Sequence, residues 1–202
     1  MFTKIDELHL PDHYHLDGSD ACYFIGEYTA GRGFAHSDTN QFIYNLKKSV
    51  DRRGLPEYRH KEAAIVQAGR VLRSSLNPEF IRRGTFVPIP PSCAEDDPLY
   101  DDRIAEVIRA IAPQIDVRKL IRQVVSTPGA HLVQNRPGPR QLYENYQIDE
   151  SLAFPTPSAI AIVDDVLTTG AHYKAIQRIL QERFPGVPVS GLFLARRVPN
   201  TE

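Results

Sequence analysis

The sequence predicts an α/β fold with a mainly parallel sheet flanked by helices. Three observations predict it. Short β-forming runs alternate with helical periods between residues 22 and 198. One run, Ala159–Val163, is wholly apolar, as a strand covered on both faces requires. That run passes through two carboxylates and a hydroxyl-rich turn into a helix, the junction expected of a β–α unit.

The elements follow in order. Residues 1–20 are polar, rich in His and Asp, and show little period. Cys22–Tyr28 has β-propensity and is closed by Ala30–Gly33. Ser37 or Asp38 caps a helix that turns Phe42, Leu46 and Val50 inward, and Gly54 and Pro56 break it. A second helix over His60–Leu76 sets Ala64, Ile65, Ala68, Leu72 and Leu76 on one stripe and stops at Asn77-Pro78. Thr85–Pro90 is a short strand running into a proline-rich loop. Asp97-Pro98 gives an N-cap and a first-turn proline to a helix carrying Ile104, Val107, Ile108 and Ile111, which ends before Pro113. Residues 126–142 are a long loop of breakers, a type that in a compact domain is functional or mobile. Ala159–Val163, Gly170–Phe184 and Val187–Ala195 complete the alternation as strand, helix and strand.

Composition bounds the answer. A chain of 202 residues with 42% hydrophobic content suits one domain over 1–202, with residues 1–40 as a tail or hood. The 24 Lys and Arg against 25 Asp and Glu argue against a dedicated duplex binder, which is normally basic. Within that balance 18 cations are Arg and 6 are Lys, a bias toward the better fork for phosphate oxygens. Cys22 and Cys93 form neither a zinc pair nor a disulfide framework. No apolar stretch approaches the ~20 residues that span a bilayer, and Met1–Leu10 is too polar for a signal peptide, so a soluble cytoplasmic protein without a membrane partner is expected.

The chemistry concentrates in Ile160–His172. Beyond the carboxyl end of a parallel strand is where an open α/β sheet places a ligand. A turn entering a helix offers unpaired N–H groups and the positive end of the dipole, which suits a phosphate. Thr168 and Thr169 add hydroxyls, Gly170 permits close approach, and Asp164 and Asp165 are acceptors suited to the vicinal hydroxyls of a ribose. No Gly-Lys-Ser/Thr follows, so this is not a Walker loop. The plainer alternative is an Asp pair that caps the next helix.

Ile160–His172 resembles the phosphoribosyl pyrophosphate (PRPP) signature of type I phosphoribosyltransferases. Phe86–Ser92 looks like the pyrophosphate-loop strand of the ComF-like branch, and Asn45–Lys48 is similar to its Lys-bearing helix. Leu120–Arg122, Thr127, Arg136, Arg140 and Asn145 echo its later spacing more loosely, and its zinc-binding cysteine module is absent. The resemblance covers about residues 22–198 and implies a Rossmann-like sheet with an N-terminal hood. It further implies that Asp164 and Asp165 hold ribose hydroxyls, that Val166, Leu167, Thr168, Thr169 and Gly170 hold the 5-phosphate, and that Pro90, Pro91 and Ser92 contact pyrophosphate. Mg²⁺ is then carried mainly by PRPP and not by direct protein ligation, with Asp164 and Asp165 as the candidate ligands otherwise. Arg136 and Arg140 become lid residues for the leaving pyrophosphate, and a homodimer is expected. The implied reaction transfers ribose 5-phosphate to an unidentified nucleophile. The alternative is a non-catalytic PRPP sensor in a nucleic-acid-associated system such as DNA uptake or bacterial defence.

Other features are weighed beside this one. Gly31-Arg-Gly33 with His36 falls short of a dinucleotide fingerprint. His9, His13 and His15 with Asp12 and Asp17 read as a solvated tail or a metal site, and His131 and His172 as lid or helix-face residues or proton shuttles. The acidic run Glu95–Asp102 reads as a helix's first turn or an acidic subsite. Residues 47–83 hold ten cations against four acids, a solvated helix pair or a surface for nucleic acid or a protein.

Overall fold

The computed structural model describes residues 1–126 and 137–200. In chain order the regular elements are β1 (Thr3–Lys4), β2 (Cys22–Thr29), α1 (Asp38–Leu46), α2 (Arg59–Ser75), α3 (Pro78–Arg83), β3 (Thr85–Pro88), α4 (Arg103–Arg109), β4 (Asp116–Val117), β5 (Ile121–Gln123), α5 (Pro139–Asn145), β6 (Tyr146–Ile148), β7 (Ile160–Leu167), α6 (Ala171–Arg183) and β8 (Val189–Val198). The fold is α/β, with a six-stranded sheet in the order β1-β2-β8-β7-β3-β4. All its pairings are parallel except that of the edge strand β1 with β2. Strands β5 and β6 form a separate antiparallel pair.

Direction and handedness together place the helices. The connections β2→β3 and β3→β4 run one way across the sheet, and β7→β8 runs the other. Right-handed crossovers therefore put α1, α2 and α4 on one face and α6 on the opposite face. The packing agrees. Ala161, Val163 and Val166 of β7 sit in a core with Ile43, Leu72 and Val107, whereas Ile160, Ile162 and Leu167 sit in a core with Ala175, Ile176 and Tyr146. Gly69 lets α2 close on α4, because a Cβ there would meet Ala110 at 2.5 Å.

Several expected boundaries hold. Ser37 caps α1 by accepting from the Asn40 N–H at 3.0 Å, and Asn77 ends the α2 region by capping α3 through the Glu79 N–H. Four differ. Helix α1 stops at Leu46, so Val50 falls in a separate 3-10 turn. Helix α4 begins at Arg103 and not after Asp97, because Asp97 closes a tight turn by accepting from the Leu99 N–H. Part of the expected 126–142 loop is helical, since Pro139 starts α5 at its first position. Strand β7 runs to Leu167, four residues past the expected Val163, because its ladder with β8 continues through Val166↔Ala195 and Leu167↔Arg196.

The amino-terminal segment is integrated into the fold. Ile5, His13 and Leu16 are buried, and Lys174 of α6 bonds Asp20 at 2.9 Å. Among the described residues no helix is long and apolar enough to cross a membrane.

Candidate functional site

Strands β3 and β7 are neighbours whose onward connections leave in opposite directions. The crevice beyond their carboxyl ends is thus the switch point of the sheet, the place where α/β folds open a ligand site. A cleft of roughly 340 Å³ lies there, with Pro90, Pro91 and Ser92 on one wall and Asp164, Thr168 and His172 on the other. The topology itself therefore brings together the two segments singled out from the sequence. Val166 and Leu167 belong to the buried end of β7, which restricts the turn proper to Thr168–Gly170.

Three features shape this turn. Gly170 has φ +88°, a left-handed conformation that glycine adopts without strain. Its bare Cα is also required by Leu16, since a Cβ would lie 2.7 Å from that side chain. The close approach expected of this glycine is thus made by the protein from behind. The carbonyls of Thr168 and Thr169 are taken up on the same side, by His13 Nδ1 and by the His15 N–H at 3.0 Å. No acceptor among the described residues takes the N–H groups of Thr168, Thr169 and Gly170. Three donors thus stand unpaired at the start of a 13-residue helix.

The two carboxylates have different surroundings. Because β7 continues past them, the period of two turns Asp164 toward the α6 side and Asp165 toward α1 and α4. Asp165 is buried and held by Lys47 Nζ at 2.9 Å and by Arg103 through Nε at 3.0 Å and Nη2 at 2.7 Å. Arg103 also bonds Asp101, which bonds the buried Lys61 at 2.6 Å. Burial alone would raise the pKa of Asp165, but Lys47 and Arg103 outweigh it and hold the carboxyl well below its usual range. Asp164 is half-buried at the cleft. Burial first, and the neighbouring Asp165 charge second, push its pKa up to about 7. Of the two carboxyls Asp164 is therefore the one that takes up a proton first.

The remaining expected residues divide. Ser92 sits in the cleft wall, and its carbonyl accepts from Gln123 Nε2. Arg140 is fully exposed on α5, pairs with Glu144 at 3.1 Å and does not line the cleft. Its helix starts at Pro139 and turns it outward. Arg136, Thr127 and His131 lie outside the described residues. His172 lines the cleft, with Nδ1 2.6 Å from the hydroxyl of Tyr146. The acidic run resolves into ion pairs: Glu95 with Lys119, Asp101 with Lys61 and Arg103, Asp102 with Arg109. The 47–83 stretch is likewise partly neutralised within the fold, through Lys47, Arg52, Lys61, Arg82 and Arg83. Buried His13 rules out a solvated tail at that position.

Asp101 was within reach as part of the acidic-subsite alternative, but its pairing with Lys61 was not, nor was the contact of His13 with the turn. Lys61 left a signal, because it continues the buried stripe of Ala64, Ala68 and Leu72 at helical spacing. A lysine on an apolar stripe needs a buried partner.

Mg²⁺ is the ion that the resemblance brings with it. Among the described residues no group of three or more His, Cys, Asp and Glu could hold a metal. Asp165 and Asp101 are committed to cations, which leaves Asp164 as the carboxylate in the cleft wall without an ion pair among the described residues. That fits an ion whose oxygens come chiefly from a ligand's phosphates and from water. A scan against protein-family models finds no match for this chain, and a search of curated proteins finds none either.

Proposed function

We propose that the cleft binds a phosphorylated ribose, with PRPP as the ligand that suits it best, and that the protein is a phosphoribosyltransferase-like protein of the type I architecture. One observation carries the reading: Thr168, the first residue of a turn whose N–H groups take no acceptor among the described residues, lines the same cleft as Asp164, at the switch point of the sheet. In this reading the amides and the Thr168 hydroxyl receive the 5-phosphate. Asp164 accepts from a ribose hydroxyl. Lys47 and Arg103, both in the cleft wall, supply positive potential for a pyrophosphate group. Asp165 acts as the counter-ion that holds those two cations in place. Mg²⁺ bound with the ligand would neutralise pyrophosphate charge, and Asp164 is the residue to meet it.

The reaction would be displacement of pyrophosphate at the anomeric carbon by an unidentified nucleophile. The second reading, a PRPP sensor without turnover, is favoured by one observation: Arg140 points away from the cleft and pairs with Glu144. Titration calorimetry with PRPP and Mg²⁺, followed by a pyrophosphate-release assay across bases and small amines, separates the two. Binding with release supports the transferase, and binding without release supports the sensor. Absence of binding by folded protein refutes both. Asp164→Asn is expected to weaken PRPP by roughly tenfold to a hundredfold, the worth of a hydrogen bond to a charged acceptor.

A further inference from the structure

The segment His13–Leu16 meets the Thr168–Gly170 turn residue by residue on the side away from the cleft. His13 Nδ1 bonds the Thr168 carbonyl, the His15 N–H bonds the Thr169 carbonyl at 3.0 Å, and Leu16 packs where Gly170 has no side chain. We infer that His13 is a positioning residue for the candidate phosphate turn: its single hydrogen bond orients the peptide plane that joins Thr168, which lines the cleft, to the Thr169 N–H.

The chemistry of the ring supports this. A carbonyl only accepts, so Nδ1 must carry the proton. Nε2 is buried and meets no partner among the described residues. A second proton there would create a buried, unpaired N–H beside Arg196, so the ring stays in one neutral tautomer. Asp12 and Arg196, whose opposite charges act on the ring, pair with each other at 3.0 Å. His13 therefore serves as a fixed donor. A peptide plane held through its carbonyl has its N–H direction fixed as well. With the carbonyls of Thr168 and Thr169 both tied from behind, the following amides are aimed before any ligand arrives, which lowers the ordering cost of binding.

The assignment of a phosphate to this turn rests on the reading proposed above, so the test has two readouts. The variants are His13→Asn, whose amide nitrogen replaces Nδ1, and His13→Gln, whose amide nitrogen replaces Nε2. The first readout needs no ligand. Backbone ¹⁵N order parameters at Thr168, Thr169 and Gly170 should stay near the rigid value of about 0.85 in the wild type and His13→Asn, and fall toward about 0.6 in His13→Gln. The second is affinity for ribose 5-phosphate, expected to fall roughly tenfold in His13→Gln, to be restored in His13→Asn, and to be matched by no comparable loss for pyrophosphate. Equal order parameters in the two variants overturn the inference. So does an unfolded His13→Asn, which keeps the hydrogen bond. If wild-type protein binds neither ribose 5-phosphate nor PRPP, the functional reading fails, while the order parameters still decide the role of His13.

Discussion

Asp164 and Asp165 are adjacent and chemically identical, yet their substitution by Asn should have opposite consequences for stability. Asp165→Asn removes the charge that holds Lys47 and Arg103. Removing one partner of a buried ion pair costs about 3–5 kcal/mol. The lower end applies here. The Lys47 side chain is 44% exposed and can rehydrate, and Arg103 keeps Asp101 at 2.9 Å. We expect about 3 kcal/mol, which in a chain of this size lowers Tm by roughly 6–12 °C. Asp164→Asn should change stability at pH 7 by less than about 1 kcal/mol or raise it, because the carboxyl it replaces already resists ionisation. The assay is urea denaturation of the wild type and both variants at constant m. A cycle with Arg103→Gln should return a coupling of about 1–3 kcal/mol for Asp165 and little for Asp164. Equal destabilisation by the two substitutions would refute this division of roles.

Four further outcomes are expected. The folded-state pKa of Asp164 lies above its unfolded value, so the native protein binds the extra proton, and this group's contribution to stability is lost as pH rises from about 4 to about 7; denaturation across that window should show the slope in the wild type and its absence in Asp164→Asn. Near pH 7, Mg²⁺-PRPP should release up to about half a proton by ionising Asp164, and metal-free pyrophosphate should cause uptake of up to about half a proton, a difference of sign readable by calorimetry in buffers of different ionisation enthalpy. Lys61→Ala should cost about 3–5 kcal/mol by leaving Asp101 short of its buried partner, whereas Gly170→Ala should cost more than about 1 kcal/mol, of which Leu16→Ala recovers only the steric share and not the part due to φ +88°.

What the sequence made legible were features with a local cause. Ser37 as an N-cap, the α2 stripe and the strand–turn–helix at 160–172 follow from hydrogen-bonding groups and periods within a few residues. The end of β7 was not of this kind. Two aspartates after four apolar residues look like the end of a strand, but a ladder ends where its partner ends, and β8 supplies pairs as far as Arg196. The same holds for charges. Lys47, Asp165 and the Asp101–Arg103 pair come from three segments, and only the crossing of α1 and α4 over β7 joins them. Arg140 shows the reverse limit, since a spacing that suggests a lid residue carries no information on which side of α5 it faces.

The near-neutral charge of the whole chain conceals a local arrangement that bears on the ligand. Lys47, Asp165, Arg103, Asp101 and Lys61 form a chain of alternating sign, three cations and two anions, that ends at the cleft. With Asp164 protonated this group carries +1, and with Asp164 ionised it carries zero. The neighbouring Asp165 charge, which Lys47 and Arg103 fix in place, is one of the two causes that keep the proton on Asp164. Lys47 and Arg103 thus favour an anion twice, by their own charge and by stabilising a neutral Asp164 through Asp165. A cleft built this way takes an anionic group at low cost, and takes a cation only when a ligand brings it. That is the electrostatic profile a magnesium-complexed sugar phosphate requires. It also means that neutralising Asp165, the more buried carboxylate, should disturb ligand affinity through Lys47 and Arg103, which it holds in the cleft wall.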